Sequence, residues 1–200
     1  MSESNHTVKE SMREIISHIE KLISRIRDDD IDQMLDAILH AKRIFIVGAG
    51  RSGLVGKAFA MRLMNLDLDV HVIGETTTPA FTKEDILVAI SGSGETRFPL
   101  TASQVAIETG GKVVAVTSRP KSILARLADI LVVVKGRTKD EGVPSSYTER
   151  DLKSSYRQLA PLGTLFEDSA MIFLDGIIAA LMAKLEKKEE DLRKRHASIE

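Results

Sequence analysis

Two short apolar runs in this chain each lead directly into a loop of glycine and hydroxyl residues. The run at 86–90 is followed by SGSGET at 91–96, and the run at 43–47 is followed by GAGRSG at 48–53. Runs of this length that are rich in branched residues are typical of parallel strands buried on both faces. A helical pattern of apolar residues follows each loop. The sequence therefore predicts two strand–loop–helix units of an α/β fold.

The loop at 91–96 has the composition of an anion-binding site. Gly92 and Gly94 carry no Cβ, so the backbone can turn sharply and bring its N–H groups close to a ligand, while Ser91, Ser93 and Thr96 add hydroxyl groups. The helix expected after the loop directs its free N–H groups and positive dipole end towards the ligand. We predict a phosphate site here. A simple turn between strand and helix is the alternative, but a turn does not require three hydroxyls in six residues.

The remaining periodicities complete the pattern. Further apolar strands are predicted at 69–73, 112–116 and 130–134, which makes five, and helices are predicted at 8–26, 31–41, 54–66, 97–109, 122–127 and 164–185. The acidic residues at 28–30 are expected to close the first helix. The charged stretch at 186–196 is expected to continue the last helix, with pairs between residues 189 and 193 and between 190 and 194. Because the helix at 164–185 is apolar nearly all round, we expect it to be buried against the sheet and a partner chain.

No linker divides the 200 residues, of which 43% are hydrophobic, so we expect one domain over 1–200. Its expected parts are N-terminal helices at 1–41, a parallel α/β core at 42–135, a polar connection at 136–163, and a C-terminal helix and tail at 164–200. The polar connection is long enough to suggest a binding loop or an arm that packs on another subunit.

Composition argues against several functional classes. The 28 Lys and Arg residues are balanced by 29 Asp and Glu, so there is no basic excess for a nucleic-acid partner. The chain has no cysteine, and its five histidines form no H-x-x-x-H pair, so we expect no metal site. No segment predicts a membrane span or a leader, and we expect a cytoplasmic protein.

The loop at 48–53 formally matches the dinucleotide fingerprint G-x-G-x-x-G, and Glu75 lies where an acidic ribose ligand would be expected. A nicotinamide-dependent enzyme is therefore one alternative. However, two glycine loops at the carboxyl ends of strands in one parallel sheet can face a single crevice and hold one small phosphorylated ligand. We favour a sugar phosphate as that ligand.

Four segments together resemble the sugar isomerase (SIS) domain superfamily and, within it, the 6-phospho-3-hexuloisomerase family: GAGRSG at 48–53, SGSGET at 91–96, APLGTLFE at 160–167 and RHASIE at 195–200. The resemblance implies a flavodoxin-like, three-layer α-β-α sandwich with a five-stranded parallel sheet, assembled as a homotetramer. It also implies cofactor-free interconversion of D-arabino-3-hexulose 6-phosphate and D-fructose 6-phosphate. A non-catalytic sugar-phosphate sensor of the same superfamily is a second alternative, because it would use the same loops without a base. Another phosphosugar isomerase is a third.

The implied reaction needs a base that takes a proton from C2 and returns it at C3 through an enediol. Glu167 matches the glutamate of the family's PLGTLFE segment, so the resemblance implies that it is this base; a carboxylate that only caps a helix is the alternative. His196 matches the family's C-terminal histidine, which implies a catalytic or substrate-orienting imidazole, although spacing alone would place it in a charged tail.

The first glycine loop is expected to bind substrate oxygens through Gly48, Gly50, Arg51 and Ser52, with a solvated Arg51 as the alternative. We also expect the site to be shared between subunits, with the glutamate from one chain and the histidine from its neighbour. The long charged extension before the C-terminal histidine motivates this expectation, because such an extension can project beyond its own domain.

Overall fold

The computed structural model describes residues 3–136 and 159–195, which form a parallel sheet covered by helices on both faces. The strands are β1 (Ile44–Gly48), β2 (Val70–Val72), β3 (Ile86–Ile90), β4 (Lys112–Thr117) and β5 (Ile130–Val133). The helices are α1 (Glu3–Ile23), α2 (Asp28–His40), α3 (Arg51–Asn65), α4 (Arg97–Glu108), α5 (Ile123–Leu127), α6 (Thr164–Lys184) and α7 (Glu189–Lys194).

The strand order is β2-β1-β3-β4-β5, and every neighbouring pair is parallel. The chain leaves β1 towards β2 on one side of the sheet and leaves β3 towards β4 on the other. A crevice opens at such a reversal, outside the carboxyl ends of the two strands. Gly48 at the end of β1 pairs in register with Ile90 at the end of β3. The two glycine loops therefore begin side by side at this crevice.

Alternating strand residues supply two apolar layers. Ile46 and Val88 belong to the layer beneath α2, α3 and α6, whereas Val47 and Leu87 belong to the layer beneath α4 and α5. All four side chains are fully buried, and burial of one such side chain contributes about 1.5–3 kcal/mol to stability. The predicted three-layer sandwich with five parallel strands is confirmed.

The acidic residues at 28–30 were expected to end the first helix, and this prediction is wrong. They form the first turn of α2, and α1 already ends at Ile23. Carboxylates in a first turn are stabilised by the positive end of the helix dipole, and Arg27 also forms an ion pair with Asp30. The same three residues therefore begin a helix rather than close one.

The charged tail does not continue the last long helix. α6 ends at Lys184, Glu186 adopts a positive φ of 54°, and α7 begins as a separate short helix. Of the two predicted ion pairs, Glu189 and Arg193 lie 4.0 Å apart, whereas Lys194 pairs instead with Asp191 at 3.4 Å. α6 itself buries its sheet-facing side, but Ile172 on its outer side is 50% exposed.

Most of the predicted polar connection, residues 137–158, lies outside the described residues, but both of its ends contact α1. His18 Nε2 donates a hydrogen bond of 2.8 Å to the carbonyl oxygen of Lys135. One turn earlier on α1, Glu14 Oε2 accepts the N–H groups of Leu159 and Ala160 at 2.9 and 3.2 Å. α1 thus holds the chain where it enters and where it leaves this connection. In the described part of the chain, no helix combines the length and the apolar character of a membrane span.

Candidate active site

The three internal segments that carry the family resemblance meet at the carboxyl edge of the sheet. The start of α6 lies against the loop at 91–96, where a Cβ on Gly92 would come within 2.8 Å of the Phe166 ring. Only glycine permits this close approach. From the other side, Arg51 at the start of α3 reaches the carboxylates of α6. The packing therefore joins GAGRSG, SGSGET and PLGTLFE in one place.

Hydroxyl groups organise the loop at 91–96. Ser91 Oγ donates to Thr96 Oγ1 at 3.2 Å and accepts the N–H of Gly94 at 3.2 Å. Ser93 Oγ accepts the N–H of Glu95 at 3.2 Å and lies 3.5 Å from Thr96 Oγ1. These contacts hold the hydroxyl groups together before any ligand binds.

The loop also presents the N-terminus of a helix. α4 begins directly after Thr96, whose side chain makes no capping hydrogen bond, and its first turn contains no acidic residue. The N–H groups of a first helical turn have no partner within the helix, so they are suited to an anion. Glu95 does not compete for them, because its carboxylate accepts the N–H of Ile123 at the start of α5, at 3.2 Å.

The first glycine loop is shorter than predicted, because α3 begins at Arg51 rather than at residue 54. Gly48 ends β1 and Gly50 occupies the N-cap position of α3, whereas Ser52 is buried in the first turn of that helix. Glu75, the possible ribose ligand, forms an exposed salt bridge of 2.6 Å with Lys57 on the outer side of α3. The structure thus gives Glu75 a surface ion pair.

Glu167 lies in the first turn of α6, and only 6% of its side chain is exposed. Its carboxylate folds back over Gly163, the N-cap residue, whose φ is +87°. A Cβ on Gly163 would lie 3.0 Å from Oε1 and 3.2 Å from Oε2 of Glu167. Glycine at this position therefore leaves the space in which the carboxylate sits.

Arg51 is the main partner of this carboxylate. Its Nε donates to Glu167 Oε2, and its Nη2 donates to Asp168 Oδ1 at 3.3 Å. The hydrogen bond that Arg51 donates to Glu167, the charge of Glu167 and the charge of Asp168 together raise the pKa of Arg51 above its usual value. Two residues predicted separately, a substrate-binding Arg51 and a base Glu167, are thus in direct contact. Asp168 was not predicted as a site residue, although the sequence shows that it directly follows Glu167 near the start of a predicted helix.

A cavity of about 460 Å³ opens beside this cluster, between α1, α3 and α6. Arg51, Glu167 and Asp168 supply its polar side, and apolar residues such as Ile15 and Met171 supply the rest. Its volume is within the range of small-molecule sites. In the described ranges, 3–136 and 159–195, no group of three or more His, Asp or Glu side chains is arranged to hold a metal ion.

His196 lies outside the described residues, but contacts fix the position of the preceding residue, Arg195. Asn65 Nδ2, at the end of α3, donates to the carbonyl oxygen of Arg195 at 3.2 Å, and the Arg195 side chain pairs with Asp67. Arg51 is at the other end of the same 15-residue helix. At 1.5 Å per residue, the two ends of α3 are about 20 Å apart. Arg195 is thus held far from the Glu167 carboxylate of its own chain.

Comparisons with known proteins agree with this architecture. A family model described as SIS domain matches residues 37–160. An uncharacterized protein of Methanothermobacter thermautotrophicus is 45% identical, over 96% of this chain and 97% of that protein. A 3-hexulose-6-phosphate isomerase of Bacillus subtilis is 35% identical, over 96% of this chain and 98% of the relative. A crystal structure from Methanococcus jannaschii, from which a function as 3-hexulose-6-phosphate isomerase was inferred, is 34% identical with a TM-score of 0.75 and covers 94% of this chain and 96% of that one.

Proposed function

The chain belongs to the SIS domain family, and on that basis we propose that it is a sugar phosphate isomerase that interconverts D-arabino-3-hexulose 6-phosphate and D-fructose 6-phosphate. The observation that carries the proposal is the buried Glu167 carboxylate, paired with Arg51 on the helical turn whose Phe166 packs against Gly92 of the hydroxyl loop. A sensor needs the loop to bind its ligand, but it does not need a buried carboxylate and a guanidinium at the reacting end of the sugar.

In the proposed reaction, the Glu167 carboxylate removes the proton from C2 of the 3-hexulose. The C–H electron pair forms the C2–C3 double bond, and the C3 carbonyl oxygen takes up the negative charge. The proton on O2 then passes to the negatively charged oxygen on C3 as the C2 carbonyl forms, while Glu167 returns its proton to C3. Arg51 stabilises the enediolate oxygen, since a positioned cation is most effective where charge develops. Atoms and electrons balance without a cofactor.

The phosphate binds at the loop of residues 91–96. Ser93 and Thr96 are half-buried and already held in place, and the uncapped N-terminus of α4 adds N–H donors. Hydrogen bonds to a charged group contribute about 1.5–3 kcal/mol each, so a few of them are sufficient to anchor the sugar at its phosphate end. Gly48, Gly50 and Ser52 shape the adjacent loop, so that Arg51 reaches α6.

His196 serves the site of a neighbouring subunit in this proposal. Arg195 is held about 20 Å from Arg51, and His196 directly follows it, so that the chain adds only about 3.8 Å between their Cα atoms. The Glu167 of another chain is therefore the better partner for His196. Exposed apolar side chains support association of subunits. Val8, Met12 and Ile16 on α1 and Leu54 on α3 are each more than half exposed. We propose a homotetramer whose sites combine two chains.

The function is tested by incubating the protein with fructose 6-phosphate in D₂O and following the sugar by NMR. A 2,3-enediol predicts deuterium at C3 and formation of the 3-hexulose. Glu167→Gln should lower the exchange rate by about 100-fold or more, while calorimetry shows that the sugar still binds. Exchange at C1 would instead indicate aldose–ketose isomerisation, and binding without any exchange would indicate a sensor.

The shared site is tested with mixed oligomers of Glu167→Gln and His196→Ala, each nearly inactive alone. If the two residues meet across an interface, random assembly leaves about a quarter of the sites with both native residues, and activity returns to about that level. If both residues come from one chain, every site carries one lesion. Mixed oligomers, verified by mass spectrometry, that remain inactive would contradict the shared site but not the reaction.

A further inference from the structure

Arg51 is shared between two adjacent carboxylates that differ in exposure. Glu167, which accepts from Nε, has 6% of its side chain exposed, whereas Asp168, which accepts from Nη2, has 37% exposed. The Arg51 side chain is itself 54% exposed. The guanidinium therefore has one partner inside the site and another at its rim.

Arg51 occupies one oxygen of the proposed base. A base must present an oxygen lone pair to the carbon-bound proton, yet Oε2 of Glu167 is already occupied by Arg51. Because the proposed reaction also requires Arg51 at the enediolate oxygen, the guanidinium has to turn away from Oε2 and still remain beside the reacting oxygens.

We infer that Asp168 is a positioning residue that retains Arg51 in the site when the guanidinium moves from Glu167 to the substrate. The planar guanidinium carries five N–H donors, so Nη2 can stay on Asp168 while the other donors turn to a substrate oxygen. This inference rests on the proposed function, and it gives Asp168 a role in the reaction without contact with the substrate. Without Asp168, the guanidinium either remains on Glu167 or moves into solvent.

The test compares Asp168→Asn with a matched control. Asp175→Asn makes the same change on the same helix, seven residues further on, where Asp175 lines a separate cavity together with Arg62. We expect Asp168→Asn to lower kcat about tenfold with KM changed less than twofold, within the range of coupling found in shared hydrogen-bond networks. Asp175→Asn should match the wild type, and both variants should keep the wild-type melting temperature within a few degrees.

The decisive measurement repeats Asp168→Asn in an Arg51→Gln background, with C3 deuterium exchange as a readout that detects slow turnover. If Asp168 acts through Arg51, its replacement has no further effect there. A tenfold loss in both backgrounds, or a kcat for Asp168→Asn equal to that of Asp175→Asn, would overturn the inference.

If exchange in the Arg51→Gln background is too slow to measure, the variant Asp168→Glu provides the deciding test. Asp168→Glu keeps the carboxylate, so it should retain at least a third of the wild-type kcat. A loss of kcat equal to that of Asp168→Asn would overturn the inference. A wild-type protein without isomerase activity would refute the proposed function instead.

Discussion

Replacing Gly163 by alanine would perturb the Glu167 carboxylate without changing a charged or polar side chain. Gly163 is the N-cap of α6 with φ at +87°, and its missing Cβ leaves the space that the carboxylate occupies. The added methyl group would lie 3.0 Å from Oε1 and 3.2 Å from Oε2. Such contacts are too close, so the carboxylate has to shift by roughly a few tenths of an ångström.

Two separate effects follow. The left-handed backbone costs an alanine about 1–2 kcal/mol, which lowers the free energy of unfolding. The displaced carboxylate lowers kcat: a 1 Å misplacement can cost about 100-fold, so a shift of a few tenths of an ångström should cost about fourfold. Gly163→Asn separates the two effects, since asparagine tolerates the left-handed region better but carries the same Cβ. We expect it to regain stability but not kcat.

Urea unfolding and steady-state kinetics measure these effects. Gly176→Ala is the matched control, because Gly176 lies within α6 and a Cβ there meets nothing within 4 Å. It should stabilise the protein by about 0.5–1 kcal/mol through helix propensity and leave kcat unchanged. A Gly163→Ala variant that loses stability but keeps the wild-type kcat would refute a catalytic role for the carboxylate at its observed position.

Three further predictions follow from other parts of the structure. Ser93→Ala should raise KM about tenfold or more with little change in kcat, because it removes a hydrogen bond to the phosphate; an unchanged KM would remove Ser93 from the site. Asp85 is buried; burial raises its pKa, but hydrogen bonds from Arg43 and Thr82 outweigh that effect and lower it. The stability that this carboxylate contributes is therefore present above its unfolded pKa of about 3.9 and is lost as the pH falls through its lower folded pKa. Asp85→Asn should cost about 3 kcal/mol in urea unfolding at pH 7, with a smaller difference from the wild type near pH 3; an equal difference at both pH values would contradict this. Ile16→Glu should reduce the mass measured by light scattering, since it places a carboxylate on the exposed apolar side of α1, and an unchanged mass would exclude that surface as an interface.

Strands and glycine loops were predictable because their signals are local. β3 has the predicted bounds of residues 86–90, and α4 begins where the pattern after Thr96 indicated. A buried parallel strand requires a continuous apolar run, and such a run is visible without knowledge of its neighbours. The family resemblance added the layer arrangement, which periodicity alone does not determine.

The contact between Arg51 and Glu167 was not predictable in the same way. The two residues are 116 positions apart, and their pairing depends on how α3 and α6 pack against each other over the sheet. The acidic residues at 28–30 show a related limit, because three carboxylates in a row suit a loop as well as the first turn of a helix. The tail break at Glu186 was missed because its neighbours are good helix formers.

The contacts of Glu14 and His18 with the two ends of the 137–158 connection have a consequence for protein engineering. Because α1 fixes the backbone at Lys135 and at Leu159, the position of the following helix does not depend on the number of residues between these two points. A change of length between these two anchor points therefore leaves the helix that follows in place, whereas an insertion after Ala160 would displace the carboxylate-bearing turn itself.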